Sequence, residues 1–241
     1  MMISKNIYSK VIPMKIKKIH RWENLTLSDA KSIQIELAKN VIVDGKVSDV
    51  NYIAAGDLAF SKDGIAFGAV VLIKYPEFEI VEKHTGKERV RFPYIPGYLT
   101  FREAPLLLSL FQKLEITPEL VMIDGQGIAH PRKLGLGAHI GLFLGIPTIG
   151  IAKSRLIGEY DEPDIEKGSW NWLTTNGEKI GMVVRTRKNV KPIFISPGNL
   201  IGFESALDWT LKCSIKYRIP EPTRFAHNTV TNFKKSQINP L

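Results

Sequence analysis

Two short, uninterrupted apolar runs constrain the fold of this chain more than any other feature. They cover Leu120–Ile123 and Thr148–Ala152, and a glycine-rich helical pattern near Leu134–Leu144 lies between them. A short apolar run bounded by turn residues is typical of a strand that is buried on both faces. Strand, helix and strand in this order predict a parallel pair whose connecting helix covers one face of the sheet.

The segment upstream of these runs has the hydrophobic pattern of antiparallel strands. Tyr52–Phe60 and Ile65–Ile73 are rich in β-forming residues, and the turn signal Ser61–Gly64 joins them. A third strand is expected from Glu79 onward, and Thr85–Lys87 leave open whether it turns back on itself as another hairpin. Consecutive strands with short turns predict an antiparallel meander.

Together these patterns predict an α/β fold, in which a mixed sheet (an antiparallel meander, then parallel crossovers) is flanked by helices. Helices are expected at 26–43, 101–114, 134–144 and 200–215, and two further strands at 180–185 and 193–195. The polar segment Gly158–Gly177 is interpreted as a surface excursion, because strand-like sequence resumes directly after it. We therefore expect one domain over residues 15–241, preceded by a basic N-terminal extension, residues 1–14, that need not be ordered.

The net charge of the chain indicates which class of partner it binds. It carries 33 Lys and Arg against 24 Asp and Glu in 241 residues, a formal net charge of +9. A basic chain favours a polyanionic partner, most often nucleic acid. No stretch reaches the roughly 18 consecutive apolar residues of a membrane span, so no membrane association is expected. Cys213 is the only cysteine, which excludes a disulfide framework and fits a reducing, cytoplasmic compartment.

Three acidic residues are candidate functional residues because of where they lie in the predicted strands and helices. Asp57 interrupts an apolar strand, and Asp124 directly follows Val121–Ile123. A buried carboxylate needs a cation, and ligands of α/β sheets gather at the carboxyl ends of strands. Glu103 lies in the first turn of the predicted second helix. Each has a plainer alternative: an exposed or salt-bridged Asp57, an Asp-Gly turn at Asp124, and helix capping by Glu103.

These carboxylates have a common explanation if Asp57 and Asp124 come from neighbouring strands of one sheet. Carboxylates that converge at one sheet edge repel each other unless a divalent cation lies among them. Oxygen ligands without cysteine suit Mg²⁺, and Mn²⁺ is expected to substitute for it. On a basic protein, a carboxylate–magnesium cluster indicates phosphodiester hydrolysis, so the chain is predicted to be a nuclease.

Three further segments suit contacts with nucleic acid. Phe92–Gly97 is a proline-bracketed loop with an aromatic residue, Tyr94, that could stack on bases; an ordinary turn with a packed tyrosine is the alternative. The basic cluster His130–Lys133 suits phosphate contacts, and a solvated surface run is equally consistent with it. Lys153 is expected at the carboxyl end of the strand Thr148–Ala152, where a lone lysine is usually just exposed.

Longer motifs point to a family. The sequence resembles endonuclease V, a family of inosine-specific nucleases with a ribonuclease H-like fold, over nearly all of the chain from about residue 26. The matching segments are AGDLAF at 55–60, PYIPGYLTFREAP at 93–105, IDGQGIAHPRKLGLGAHIGL at 123–142, PTIGIAKSRL at 147–156, VVRTRKNVKPIFISPG at 183–198 and PEPTRFAH at 220–227. Gln126 and Asn199 stand where many members have histidine, and we expect them to affect substrate contacts rather than catalysis.

The resemblance implies a catalytic cluster. Asp57 and Asp124 would bind Mg²⁺ directly, and Glu103 would complete the metal site by holding the water shell of the ion. His227 would orient or activate the attacking water, and Lys153 would face the scissile phosphate.

The resemblance also implies a substrate site. The family reads the edge of a flipped hypoxanthine base in a pocket, and Tyr94 would fill the gap that the base leaves in the stack. His130 would contact the nucleic-acid strand. The pocket itself would use the loop and backbone groups of Pro96, Gly97, Leu99, Gly125 and Leu136.

The reaction implied is hydrolysis of the second phosphodiester bond on the 3′ side of deoxyinosine in DNA, leaving 3′-hydroxyl and 5′-phosphate ends, for repair of deaminated adenine. Two alternatives stay open. The first is an endoribonuclease that acts mainly on inosine in RNA, because discrimination through the ribose 2′-hydroxyl depends on local geometry. The second is a nucleic-acid-binding module without catalysis. The active species is expected to be a monomer.

Overall fold

The computed structural model describes residues 14–238, so the predicted extension 1–14 lies outside the described residues except for Met14. The helices are α1 (Leu27–Ala38), α2 (Leu99–Phe111), α3 (Leu136–Leu144), α4 (Phe203–Lys212) and α5 (Glu221–Ile238). The strands are β1 (Tyr52–Phe60), β2 (Ile65–Lys74), β3 (Glu79–Arg89), β4 (Leu120–Asp124), β5 (Thr148–Ala152), β6 (Trp170–Thr175), β7 (Glu178–Val184) and β8 (Ile193–Asn199).

The strands form an eight-stranded mixed sheet in the order β3-β2-β1-β4-β5-β8-β7-β6. β1, β2 and β3 are the antiparallel meander, and β1, β4 and β5 run parallel to one another. β8, β7 and β6 add an antiparallel half beyond β5. The predicted mixed α/β sheet, with a meander followed by parallel crossovers and with flanking helices, is therefore confirmed.

The central strands are covered on both faces. Alternate side chains of a strand point to opposite faces, and here each face meets different helices. Ala54, Val121 and Ile123 pack with apolar residues of α2 and α3. Ala55 and Met122 point the other way and pack with residues of α4 and α5. This double cover is why β4 and β5 read as continuous apolar runs.

β3 is one continuous strand, which excludes a hairpin turn at Thr85–Lys87. Gly86 pairs with Gly68 of β2 within the ladder. A Cβ on Gly86 would lie 3.2 Å from the Leu110 side chain, and a Cβ on Gly68 would lie 3.0 Å from it. The glycine that resembled a turn signal therefore lets α2 pack closely on the meander.

The segment Gly158–Gly177 holds an edge strand as well as surface loops, so its interpretation as a surface excursion is only partly right. β6 forms the outer edge of the sheet, and Leu173 is its one buried residue. An edge strand contacts the core through few side chains, and the apolar pattern is correspondingly weak.

α5 is a helix that the sequence patterns did not indicate. Pro220 and Pro222 obscure its beginning, although proline is tolerated in the first turn because the N–H groups there have no helical partner. α5 packs along β1 and β2 and buries Ala226 and Val230. This packing brings His227 against the sheet.

The first described residues join the same core. Met14 is buried in the cluster shared with α2 and α3, and the Trp22 ring stacks on Phe143 with centroids 5.1 Å apart. None of the helices within residues 14–238 has the length and apolar character needed to cross a membrane.

Candidate active site

The sheet register places Asp57 and Asp124 side by side. β1 and β4 run parallel with Gly56 opposite Ile123, so the two aspartates that follow are also neighbours. The residues two positions earlier in each strand pack toward α4 and α5, and alternation points both carboxylates to that same face. The condition set by the sequence, that these aspartates come from adjacent strands of one sheet, is confirmed.

Asp57 is buried, with 8% of its surface exposed. The Leu58 N–H donates to its Oδ1 at 2.7 Å, and His227 Nδ1 lies 2.8 Å from its Oδ2. Burial, and secondly the charge of Asp124, raise the pKa of Asp57, while the hydrogen bond from His227 and the charge of Lys153 oppose the rise. The surroundings of this carboxylate therefore favour a further positive charge.

Glu103 enters the site from the fifth position of α2 rather than from its first turn. α2 begins at Leu99, and its N-cap residue Tyr98 makes no side-chain capping bond. Burial, followed by the charges of Asp57 and Asp124, raises the pKa of Glu103 to about 8. The capping role considered from the sequence does not apply, because Glu103 instead belongs to a group of three interacting carboxyls.

Lys153 and His227 are polar partners of these carboxyls. Lys153 follows β5, as expected, and its Nζ contacts Asp124 Oδ2. Arg218 Nη2 donates to the Lys153 carbonyl at 2.8 Å, which anchors the backbone of this residue. The His227 side chain is 53% exposed, and since Nδ1 is engaged with Asp57, Nε2 is the nitrogen left for a substrate or water.

These residues fit a divalent cation. One ligand atom from each of Asp57, Asp124 and His227 lies within 4.8 Å of the other two. The two carboxylates supply oxygen ligands for a divalent cation, and none of the three residues is a thiolate. Burial, followed by the charges of the neighbouring carboxylates, raises the pKa of Asp57 and of Glu103, and a bound cation would offset both effects. Glu103 lies outside this group of three.

A cavity of about 480 Å³ is lined by all twelve residues expected to form the catalytic cluster and the substrate site. Its walls include the five expected catalytic residues and the seven expected substrate residues: Asp57, Glu103, Asp124, Lys153 and His227, with Tyr94, Pro96, Gly97, Leu99, Gly125, His130 and Leu136. Asp57 and His227 are 170 positions apart in the chain, so the fold alone brings the cluster together. Gln34, Thr100 and Ser154 also line the cavity and were not singled out from the sequence.

The loop that carries Tyr94 is anchored through the carbonyl of Gly97. This oxygen accepts hydrogen bonds from Gln34 Nε2 at 3.1 Å, His130 Nε2 at 2.9 Å and Arg132 Nη2 at 2.6 Å. Gly97 has φ of +79°, in the left-handed region that favours glycine. Three donors on one oxygen fix the turn, while the Tyr94 side chain remains 68% exposed at its tip.

His130 is buried and is one of the three donors to the Gly97 carbonyl. Burial lowers the pKa of His130 to about 4, so the ring is neutral near neutral pH. Nε2–H then donates to Gly97, and Nδ1 accepts the Arg132 N–H at 3.2 Å. Both nitrogens are engaged within the protein, so His130 stabilises the cavity wall to which it belongs, and its contact with the nucleic-acid strand stays a prediction.

Gln34 was missed by sequence reasoning. It is fully buried in α1, and besides Gly97 it binds the Leu134 carbonyl and accepts from Arg132 Nε at 2.6 Å. The available signal was a polar residue on the stripe that Ala30 and Leu37 form along the inner side of α1.

Known proteins are similar in sequence to this chain over almost its entire length. A family model described as Endonuclease V matches residues 35–228. An endonuclease V of Rippkaea orientalis is 43% identical over 227 residues, which are 94% of this chain and 98% of that protein. An endonuclease V of Petrotoga mobilis is 44% identical over 223 residues, which are 92% of this chain and 100% of that protein.

Solved structures share the fold. The crystal structure of the endonuclease V of Bacillus subtilis matches with a TM-score of 0.89 and 32% identity, covering 93% of this chain and 99% of that one. The endonuclease V of Ciona intestinalis, crystallised with a 24mer DNA containing an inosine followed by a ribo-adenosine, matches with a TM-score of 0.75 and 28% identity, covering 88% and 98%. These structures have the ribonuclease H-like fold, which confirms that expectation. The chain belongs to the endonuclease V family of nucleases, enzymes that hydrolyse phosphodiester bonds.

Proposed function

We propose that this protein is a Mg²⁺-dependent endonuclease that recognises deoxyinosine in DNA. It hydrolyses the second phosphodiester bond on the 3′ side of the lesion, leaving 3′-hydroxyl and 5′-phosphate ends, and acts in repair of deaminated adenine. The observation that carries the proposal is the meeting of Asp57, Asp124 and His227 in a cavity that also holds the expected base pocket. The DNA bound to the Ciona relative, which contains inosine, supports the choice of substrate.

In this proposal Asp57 and Asp124 hold the metal, and Glu103 holds its water shell. Bound Mg²⁺ would lower the pKa of a water molecule and stabilise the in-line displacement at phosphorus. His227 is oriented by its Nδ1 contact with Asp57, so that Nε2 can accept a proton from the attacking water. Lys153, anchored through its carbonyl by Arg218, places its ammonium against the scissile phosphate.

The proposed base pocket shares this cavity with the cluster. Backbone groups around Gly97, Leu99, Gly125 and Leu136 would read the edge of a flipped hypoxanthine. The exposed ring of Tyr94 would then occupy the place that the base leaves in the stack. His130 would contribute by fixing the Gly97 carbonyl beside the strand.

The metal assignment is tested by Asp57→Ala and Asp124→Ala. Each removes a proposed ligand but leaves the base pocket, so cleavage should be lost while binding of a deoxyinosine duplex persists. Asp208→Ala, at an exposed position of α4, is the matched control and should cleave normally. Cleavage by either cluster variant at the wild-type rate would refute the assignment, and so would a wild-type protein that binds inosine without cutting it.

The wedge role is tested by Tyr94→Ala. This variant should bind the lesion more weakly, while the Mg²⁺ dependence of its cleavage stays unchanged. An equal effect on undamaged duplexes would contradict a role in lesion recognition.

A second candidate is an endoribonuclease that acts mainly on inosine in RNA. The Ciona complex contains a ribonucleotide directly after the inosine, which favours considering it. Single-turnover cleavage of matched deoxyinosine and riboinosine oligonucleotides separates the two. A tenfold preference for the ribo strand, about 1.4 kcal/mol at the transition state, would make RNA the preferred substrate.

The proposal retains a monomeric, cytoplasmic protein with one domain over residues 15–241. The buried free thiol of Cys213 suits a reducing compartment. Light scattering of the purified chain tests the monomer, and removal of residues 1–13 tests whether the extension contributes to activity.

A further inference from the structure

A second groove with several basic side chains opens beside the active site. It has a volume of about 850 Å³ and lies where the ends of β1, β2 and β3 meet the last turns of α5. We call it the basic groove, and its lining residues are Phe60, Ser61, Lys62, Asp63, Ile65, Phe67, Lys87, Glu88, Arg89, Lys234, Gln237 and Ile238.

The charge of the basic groove is positive despite two carboxylates. Its lining includes four basic residues and two acidic ones: Lys62, Lys87, Arg89 and Lys234, with Asp63 and Glu88. Neutral acceptors hold two of the lysines: Lys87 donates to the Gln237 side chain at 2.8 Å and Lys234 donates to the Phe60 carbonyl at 2.5 Å. Their charges are therefore positioned without being neutralised, which is the arrangement that a bound anion requires.

Two of the elements that build the active site, β1 and α5, also lead to the basic groove. On β1, Phe60 is three residues beyond Asp57, which corresponds to about 10 Å along a strand. On α5, Lys234 is seven residues beyond His227, which corresponds to about 10 Å along a helix and to the same helix face. A strand of B-DNA carries one phosphate per roughly 3.4 Å of helix axis, so this distance corresponds to about three nucleotides.

The order of the strands in the sheet indicates the path that a bound nucleic-acid strand would take across the protein. The expected base pocket lies at the ends of β4 and α2, the carboxylate cluster lies between β1 and β4, and the basic groove lies beyond β1 at β2 and β3. A strand whose lesion occupies the base pocket, and whose 3′ side crosses the cluster, therefore continues toward the groove.

We propose that the basic groove binds backbone phosphates of the cleaved strand about three nucleotides to the 3′ side of the cut. This rests on the proposed function, which sets where the lesion and the cut lie. Phosphate contacts fix position without reading sequence, so the groove holds the strand in register for cleavage and contributes affinity that depends on salt.

The test compares two deoxyinosine duplexes with identical 5′ parts that end two or fifteen base pairs beyond the cut. The variant Lys62→Gln/Lys87→Gln/Arg89→Gln neutralises exposed groove residues, and Lys46→Gln/Lys83→Gln/Lys113→Gln makes the same charge change at exposed positions outside the groove. Affinity is measured by fluorescence anisotropy in EDTA from 50 to 300 mM salt, with single-turnover cleavage in Mg²⁺ as the second readout.

On the long duplex the groove variant should bind roughly tenfold or more weakly near 0.1 M salt. Its plot of log affinity against log salt should be shallower by about 0.9 for each phosphate that the variant no longer neutralises. On the short duplex the two variants should bind alike. Equal weakening on both duplexes, or none on either, overturns the proposal.

The same data distinguish a failure of the proposed function. A wild-type protein with no preference for deoxyinosine over deoxyadenosine refutes that function, whatever the duplex length. Length-dependent weakening by the groove variant would still support a phosphate-binding groove in that case.

Discussion

The stability of the metal-free protein should depend on pH through Glu103, and Glu103→Gln should remove that dependence. The pKa of Glu103 rises from 4.5 to about 8 because its carboxyl is buried and lies near two other carboxylates. Between these pH values the folded state retains a proton that the unfolded state has lost. Raising the pH through this window therefore lowers the free energy of unfolding of the wild type.

The size of the effect follows from the same values. Each pKa unit corresponds to about 1.4 kcal/mol, and pH 7 lies 2.5 above the ordinary pKa of 4.5, so the cost at pH 7 is about 3 kcal/mol. For a chain of this size that is a shift of roughly 6–12 °C in Tm. Any constant difference between a glutamate and a glutamine at this position cancels when the two proteins are compared across pH.

The assay is thermal unfolding of wild type and Glu103→Gln in EDTA from pH 5 to pH 8. The Tm of the wild type should fall relative to that of the variant by several degrees as the pH rises. Added Mg²⁺ should raise the Tm of the wild type more than that of the variant, because an ion favours the charged carboxylate. Glu115→Gln, at an exposed position after α2, is the control and should follow the wild type. A difference between wild type and Glu103→Gln that does not change with pH would refute the burial and charge assigned to this residue.

Three substitutions test other contacts, each by urea unfolding. Thr26→Ala removes the capping box of α1 and should cost about 1 kcal/mol, whereas Ser28→Ala should cost little. Gly127→Ala should lower the free energy of unfolding by about 3 kcal/mol or more. A Cβ there would lie 2.1 Å from the Pro197 carbonyl oxygen, which belongs to a central strand. Gln34→Leu removes the partner of the buried Leu134 carbonyl and of Arg132 Nε, so it should lower the free energy of unfolding by about 2 kcal/mol and weaken inosine discrimination in cleavage assays.

Each of these has a clear contrary outcome. A Thr26→Ala protein as stable as the wild type would mean that the cap contributes nothing. A Gly127→Ala protein of normal stability would mean that the loop after β4 can move away from β8. Full inosine discrimination by Gln34→Leu would show that the Gly97 turn holds without its anchor from α1.

The carboxylate cluster could be predicted because its position depends on short-range patterns. A strand that is covered on both faces needs apolar residues throughout, so Asp57 within one strand and Asp124 at the end of another stand out. Strand alternation then decides which face each occupies. For these two aspartates only the pairing of β1 with β4 had to be supplied by the structure, whereas the place of Glu103 was implied by the resemblance alone.

The anchors of the loop could not be predicted in this way. The donors Gln34 and Arg132 are 63 and 35 positions from Gly97, and no local pattern encodes which carbonyl a buried amide will meet. The same limit applies to Asn199, which was expected to affect substrate contacts. Its side chain is buried, accepts from the Ile42 N–H at 3.0 Å and donates to the Gly141 carbonyl at 3.2 Å. It does not line the cavity, and its effect on substrate contacts stays a prediction.

α5 shows why position in the fold matters more than local pattern for this site. The helix is largely polar, but Ala226 and Val230 are buried against the sheet, and Phe225 and Phe233 pack beside them. With this apolar face on the sheet, His227 points to Asp57 at one level and Lys234 points to the Phe60 carbonyl two turns later. Because one rigid helix fixes both distances, the spacing between the carboxylate cluster and the basic groove is set before any nucleic acid binds. A strand held in the groove would thereby present its phosphate to the cluster without further ordering of the protein.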